Sequence, residues 1–289
     1  MTVDEFWVTR FLPWCEGRLR ECTVAGYESA WRLHIRPVFG DVRLEDVGVE
    51  RIDAWLAGFD HAGAAVKAWG VFRSMLRRAV RWGLVDVDVT RREVSLPRGV
   101  GYEPRLLSVR ETRLLLRGFY GAYLEAWLLA ASCCALRPEE GYGLTWSDLD
   151  LRSRVLRVER GLQWVGGHEV VVEPKTERSR RTLPLPSFAV RRLGELKRGH
   201  RGRIIGDATP PQVARRYKAF CERHELPWCP PRNLRHSWAT NALAAGASIA
   251  VVSRFLGHTD IQTTARYYLR PDLDALRDAQ RLYERELLR

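Results

Sequence analysis

Large apolar side chains recur at helical spacing through the first hundred residues. Val3, Phe6, Trp7, Phe11 and Trp14 mark a helix over 3–18. Thr23 has the character of an N-cap for a second helix, which runs to about Arg36 and is closed by Pro37 and Gly40. That helix carries Tyr27, Trp31 and His34 on one side. Further helices are expected over 49–57 and 62–82, the latter ending at Gly83. Residues 86–105 then lose the helical period and hold Pro97, Gly99, Gly101 and Pro104, so they read as a linker. Ser108 and Glu111 form an S-x-x-E capping box that opens a new helix, and an apolar helix follows over 120–134. From Arg154 the period changes to alternation. VLRVER and HEVVVEPK, on either side of Gly166-Gly167, predict an antiparallel hairpin, and RTLPLP a further short strand. Helices resume near Ser187, over 211–224, after Pro230-Pro231, and over 248–256, where Gly257 ends the run. The expected fold is therefore mainly α with a small antiparallel β-sheet (α+β). An all-helical domain over 1–95 is joined by a linker over 96–106 to a second domain over 107–289, which ends in a helical tail with Leu273, Leu276, Tyr283 and Leu287 roughly on one stripe.

At 289 residues the chain can bury two cores. Its net charge of +12 changes the picture from a generic globular protein to one with a polyanionic partner, most simply nucleic acid. All but four of its 47 basic residues are arginine, the exceptions being Lys67, Lys175, Lys197 and Lys218. The six cysteines form no C-x-x-C pair, and Cys221, His224 and Cys229 lack the fourth ligand and spacing of a common zinc site. Neither metal nor cofactor is expected. The first residues, acidic at Asp4 and Glu5, hold no uninterrupted apolar stretch of signal-peptide type, and the most hydrophobic stretch, 126–136, is too short to span a bilayer. The expectation is a soluble, cytoplasmic protein with no membrane partner.

Chemistry concentrates between Cys229 and Tyr268. Arg232 and Arg235 lie one turn apart near a helix N-terminus, where backbone N–H groups also favour anions. His236 adjoins them, His258 follows a glycine, and Tyr267-Tyr268 closes the stretch. Cationic donors, an imidazole and a phenol suit attack on a phosphodiester by a side-chain oxygen. Arg137 and Glu140, three apart, meet where the apolar helix ends; the carboxylate can orient the guanidinium, although a plain surface pair would look the same. Lys175 sits at the end of a predicted strand. It is either a solvated charge or, because lysine can release its proton, a general acid. Arg73, Arg77, Arg78 and Arg81 form a basic stripe, readable as phosphate contacts or as an ordinary solvated helix face.

Taken together, ALRPEE, EPKTERSRRTLPLP, LRHSWAT and LGHTDIQTTARYY, in that order, resemble the signatures of the tyrosine recombinase family. TVAGYESAWRLHIRPVFG is similar to that family's helical, SAM-like core-DNA-binding domain. The resemblance covers nearly the whole chain. It implies a site-specific recombinase of integrase type, with Tyr267 as nucleophile, Arg137 and Arg235 as phosphate clamps, Lys175 as general acid and His258 as hydrogen-bond donor. Glu140 and His236 would be supporting residues, and Tyr27 with Arg73, Arg77, Arg78 and Arg81 would contact DNA. It further implies double-stranded attachment sites, a homotetramer in the synaptic complex and room for an accessory DNA-bending or excision factor. Since the chain opens directly on the core-binding region, those sites are expected to be short.

One position departs from the pattern. The family's second-arginine box usually reads H-x-x-R, whereas this chain has Arg232 where the histidine stands. An arginine accepts no proton at neutral pH, so Arg232 would serve as a further cation and not as a base. Tyr268 is the rival nucleophile, although the nine-residue spacing from His258 favours Tyr267. A chromosome or plasmid dimer resolvase of the same family, a type IB topoisomerase and a catalytically silent DNA-binding regulator are the alternative functions.

Overall fold

The computed structural model describes residues 1–97, 103–173 and 180–258, with isolated positions at 260, 262, 265, 280, 281 and 284. The chain divides into two compact units, Met1–Glu103 with Val165–Gly167, and the remainder from Pro104.

The first unit is helical. α1 (Val3–Phe6) continues through a π-wound turn, Trp7–Phe11, into α2 (Leu12–Glu16). α3 (Glu21–Ala30) passes through a second π turn, Trp31–Ile35, into α4 (Arg36–Phe39). Thr23 therefore lies inside the helix and is not its cap, because the extended residue that precedes the helix is Arg20. Pro37 does not close the helix either. It occupies the first turn of α4, where a missing N–H costs little. The two π turns bring Trp7 and Trp31 into a stack with centroids 4.7 Å apart. α5 (Val49–Ala57) and α6 (Ala62–Arg81) complete the unit. α6 buries Ala65, Ala68, Trp69, Phe72, Met75, Leu76 and Ala79, an i/i+3/i+4 stripe, and Phe6, Phe11, Phe39 and Phe72 are wholly buried in the same core. Each such ring contributes about 1.5–3 kcal/mol on burial. The first part of the expected linker is packed: Val89 and Val94 lie on this core, and the Ser95 N–H donates to Asp53.

The second unit is built around α8 (Glu125–Cys133), which is buried along nearly its whole length. α7 (Val109–Gly118), opened by the Ser108–Glu111 capping box, packs on it, as do α9 (Pro138–Gly143), α10 (Ser187–Lys197) and α12 (Pro231–Ala244). α11 (Pro210–Arg223) adds Val213 and Tyr217 to that core, and α13 (Ile249–Leu256) packs on α12.

The strands differ from expectation in their pairing. β1 (Leu149–Asp150), β2 (Val155–Val158) and β5 (Arg181–Pro184) form an antiparallel sheet in the order β1-β2-β5. The hairpin at Gly166-Gly167 joins β4 (His168–Val172) to β3 (Gly161–Val165), not to VLRVER. VLRVER supplies β2, which pairs with RTLP so that Leu156 faces Leu183 and Val158 faces Arg181. No described helix is long and apolar enough to cross a membrane.

Candidate active site

Three chain breaks in the second unit aim backbone and side-chain groups at one another. The first is the turn between α8 and α9. Ala135 is wholly buried with φ of 48°, a left-handed conformation uncommon for a residue with a Cβ. This bend turns its carbonyl toward α12, and Arg137 then becomes the N-cap of α9. The second is the start of α12, where Pro230 and Pro231 set the helix going and place Arg235 on its inner side. The third is the end of α13. Gly257 adopts φ of 67° as a C-cap, and the His258 N–H closes back on the Ser253 carbonyl.

Arg235 ties these breaks together. Only 5% exposed, it donates from Nη1 to the Ala135 carbonyl at 2.9 Å and from Nη2 to the Leu256 carbonyl at 2.5 Å. His258 Nε2 lies 3.1 Å from the same Nη2. A guanidinium has donors only, so Nε2 is the acceptor and the neutral ring carries its proton on Nδ1. Burial, followed by the charges of Arg235, Arg137, His236 and Arg181, pushes His258 down to about 4. The ring is neutral at physiological pH.

Glu140 organises the other half. Its Oε2 accepts from the Arg137 N–H at 2.8 Å, and its Oε1 accepts from Arg137 Nη1 at 2.8 Å. Arg181 forks onto both oxygens at 2.8 and 2.9 Å. Arg181 Nε also donates to the Phe255 carbonyl at 3.0 Å, in the last turn of α13. Burial raises the Glu140 carboxyl pKa, but the hydrogen bonds and charges of Arg181 and Arg137 outweigh it and hold the group at about 2. Arg137 keeps 30% of its side chain exposed, so part of its fork faces solvent while Glu140 holds one edge.

Arg137, Arg235, His258 and Glu140, four of the residues singled out from sequence, thus share one assembly. Arg232 is exposed on the first turn of α12, and its charge, after burial and Arg235, depresses the neighbouring His236. Lys175, Tyr267 and Tyr268 lie outside the described residues, as do Leu273, Leu276, Tyr283 and Leu287 of the expected C-terminal helix. Arg181 was not singled out. Its signal was the strand period: in RTLP, Leu183 is buried and Thr182 is exposed, which puts Arg181 on the inner face of the strand. An arginine there requires a carboxylate.

In the first unit the arginine stripe divides. Arg73, Arg77 and Arg81 are exposed on α6, and Arg78 is half-buried. Arg77 Nε donates to Thr90 at 3.2 Å, and Arg78 stacks 3.8 Å from the Trp14 ring centroid. Tyr27 is partly buried, its ring stacked on Phe11. The thiols of Cys221 and Cys229 are buried and pushed up, to about 11 and about 12, chiefly by desolvation. Among the described residues no group of three or more Cys, His, Asp or Glu is placed to hold a metal.

A family profile described as the phage integrase family matches residues 112–273, and one described as phage integrase, N-terminal SAM-like domain matches residues 5–58. The tyrosine recombinase XerC of Rhodospirillum centenum is 32% identical over 83% of this chain and 71% of its own length. An integrase of Streptomyces ambofaciens is 26% identical over 85% of this chain and 70% of its own. The chain spans about half the length of one curated relative and 93% of another. The fold is similar to that of the Tn1549 transposon integrase in complex with a circular intermediate DNA, with a TM-score of 0.82 at 18% identity over 98% of this chain and 99% of that one. With a site in which two arginines, a histidine and a glutamate from three of the four signatures converge, this chain belongs to the phage integrase family of tyrosine recombinases.

Proposed function

We propose that the protein is a site-specific recombinase of integrase type, which cleaves and rejoins double-stranded DNA through a 3′-phosphotyrosyl intermediate. The observation that carries this reading is the convergence of Arg137 and Arg235, from opposite halves of the second unit, with His258 held against Arg235. Two guanidiniums held by buried acceptors form a cationic cradle suited to the non-bridging oxygens of one phosphate.

In this reading Tyr267 Oη attacks the scissile phosphorus and forms a P–O bond to tyrosine. The bond from phosphorus to the 5′ oxygen breaks, and Lys175 gives that oxygen its proton. The phenolic proton passes to solvent, because Arg232 stays protonated and supplies charge alone. His258, neutral, donates from Nδ1–H to the phosphate. The phosphotyrosyl link conserves the bond energy, so the 5′-hydroxyl of a second duplex reverses the step and exchanges strands. Exposed Arg73 and Arg81 would hold the DNA backbone beside the crossover. Exchange between two duplexes needs four subunits, so the working form is a homotetramer on paired attachment sites.

Integration or excision of a mobile element is the role we favour, in line with the Streptomyces ambofaciens integrase. Dimer resolution, in line with the XerC relative, uses the same chemistry on two sites within one circle. The test uses a nicked suicide duplex carrying sequence from the borders of the element that encodes the chain. An adduct resistant to denaturant in the wild type, absent in Tyr267→Phe and retained in Tyr268→Phe, is expected. No adduct, or an adduct lost only in Tyr268→Phe, overturns the assignment; supercoil relaxation without strand exchange replaces recombinase by topoisomerase. Arg232→His gives the supporting measurement: faster cleavage above neutral pH is expected if base catalysis is what the site lacks.

A further inference from the structure

The carboxylate of Glu140 has more cationic partners than it needs to orient one clamp. Its four acceptor positions are filled by the Arg137 N–H, Arg137 Nη1 and both terminal nitrogens of Arg181. The Arg181 side chain is 7% exposed, against 30% for Arg137. Arg181 is therefore the interior partner, and the arginine that faces outward is held at one edge only. Among the described residues the other guanidinium nitrogens of Arg137 make no hydrogen bond.

Bidentate pairing is the stronger geometry for a guanidinium and a carboxylate. If Arg181 did not occupy both oxygens, Arg137 would gain by rotating its whole fork onto Glu140, which would withdraw its donors from a phosphate. Arg181 does a second thing through Nε. By donating to the Phe255 carbonyl it fastens the last turn of α13, three residues ahead of His258, to the same carboxylate. The next carbonyl, Leu256, is held by Arg235. The terminal carbonyls of a helix have no partner within it, so these two contacts satisfy the last turn of α13 and hold in place the stop that Gly257 makes just before His258.

We propose that Arg181 is a positioning residue for the strand-cleavage reaction: by occupying Glu140 and the Phe255 carbonyl, it keeps Arg137 turned toward the phosphate and fixes the loop that carries His258. It touches no reacting atom. The proposal rests on the recombinase reading above, and the wild-type arm of its test separates the two.

Single-turnover adduct formation on the nicked duplex is measured beside DNA affinity for the wild type, Arg181→Met, Arg181→Lys, Glu140→Gln and the Arg181→Met/Glu140→Gln double variant. Displacement of a reacting group by about 1 Å costs on the order of 10²-fold in rate, so Arg181→Met is expected to lose about that much cleavage while the dissociation constant for DNA changes less than about threefold. Arg181→Lys, which keeps a cation on Glu140, is expected to lose only about tenfold.

The double variant is the decisive arm. A neutral amide in place of the Glu140 carboxylate would no longer draw Arg137 into a two-point pair. The double variant is therefore expected to cleave at least about tenfold faster than Arg181→Met alone, a non-additivity that a merely structural loss would not produce. A double variant no faster than Arg181→Met, a cleavage rate in Arg181→Met within about threefold of the wild type, or a loss of DNA binding equal to the loss of cleavage each overturn the proposal. If Arg181→Met does not fold, Arg181→Gln with and without Glu140→Gln serves the same comparison. A wild type that forms no adduct removes the recombinase reading itself.

Discussion

Lowering the pH should cost the fold stability through one side chain, His258. In the folded protein its pKa is pushed to about 4 from an ordinary 6.5, by burial first and then by Arg235, Arg137, His236 and Arg181. Between those two values the unfolded chain binds a proton that the folded chain refuses. Stability from this group is therefore complete above about pH 6.5 and declines as the pH falls toward 4. About 2.5 pH units at 1.36 kcal/mol each would give about 3.4 kcal/mol. The ring is only partly buried, and solvent screening reduces that figure to about 1.5–2 kcal/mol. Urea unfolding from pH 4 to 8 of the wild type and His258→Gln measures it: the difference between the two should shrink by that amount on acidification. The same protein, labelled with nitrogen-15, should show the imidazole proton on Nδ1 at pH 7, because Nε2 faces the Arg235 donor at 3.1 Å. A DNA-free His258 that titrates at 6.5 or above, or a ring protonated on Nε2 at neutral pH, would refute the geometry on which the reasoning stands.

Three other perturbations probe the same contacts. Glu140, held at about 2 by Arg181 and Arg137 against the opposing effect of burial, contributes stability that is complete above about pH 4.5 and is lost toward pH 2, worth about 3 kcal/mol; Glu140→Gln should abolish this acid limb in pH-dependent unfolding. Gly143→Ala should destabilise by about 1–3 kcal/mol in urea melts, because its Cβ would lie 2.9 Å from the Gly161 carbonyl carbon and 3.0 Å from the Leu162 nitrogen, both backbone atoms that cannot swing aside. Trp238→Ala, which removes a partly buried ring stacked 4.0 Å from Phe255, should cost about 2–3 kcal/mol and slow adduct formation, since α13 loses one of its contacts with α12.

Much of this protein is written in local sequence. The Ser108–Glu111 cap, the Pro231 helix start and the Gly257 stop each depend on a few neighbouring residues, and each is observed where the pattern put it. The order of the four signatures was equally plain, and it led to Arg137, Glu140, Arg235 and His258 without any coordinates. Strand pairing was not legible. VLRVER alternates equally well for any partner, so nothing within it distinguishes HEVVV from RTLP. The π turns at Trp7 and Trp31 were hidden too: no local pattern marks them, and the two indoles they bring together meet only in the folded unit.

Read alone, the amino-acid order supplies an inventory: a basic chain of two domains with a phenol, an imidazole and several arginines in a known succession. How the charges are shared is settled only when the chain folds. The register of β5 on β2 turns Arg181 inward, and the left-handed bend at Ala135 presents a carbonyl to Arg235. A guanidinium buried away from water must find acceptors, and those acceptors come from segments about 20 to 100 residues away. No local pattern can specify such partners, because the cost of leaving a charge unpaired is felt only once the chain has closed around it.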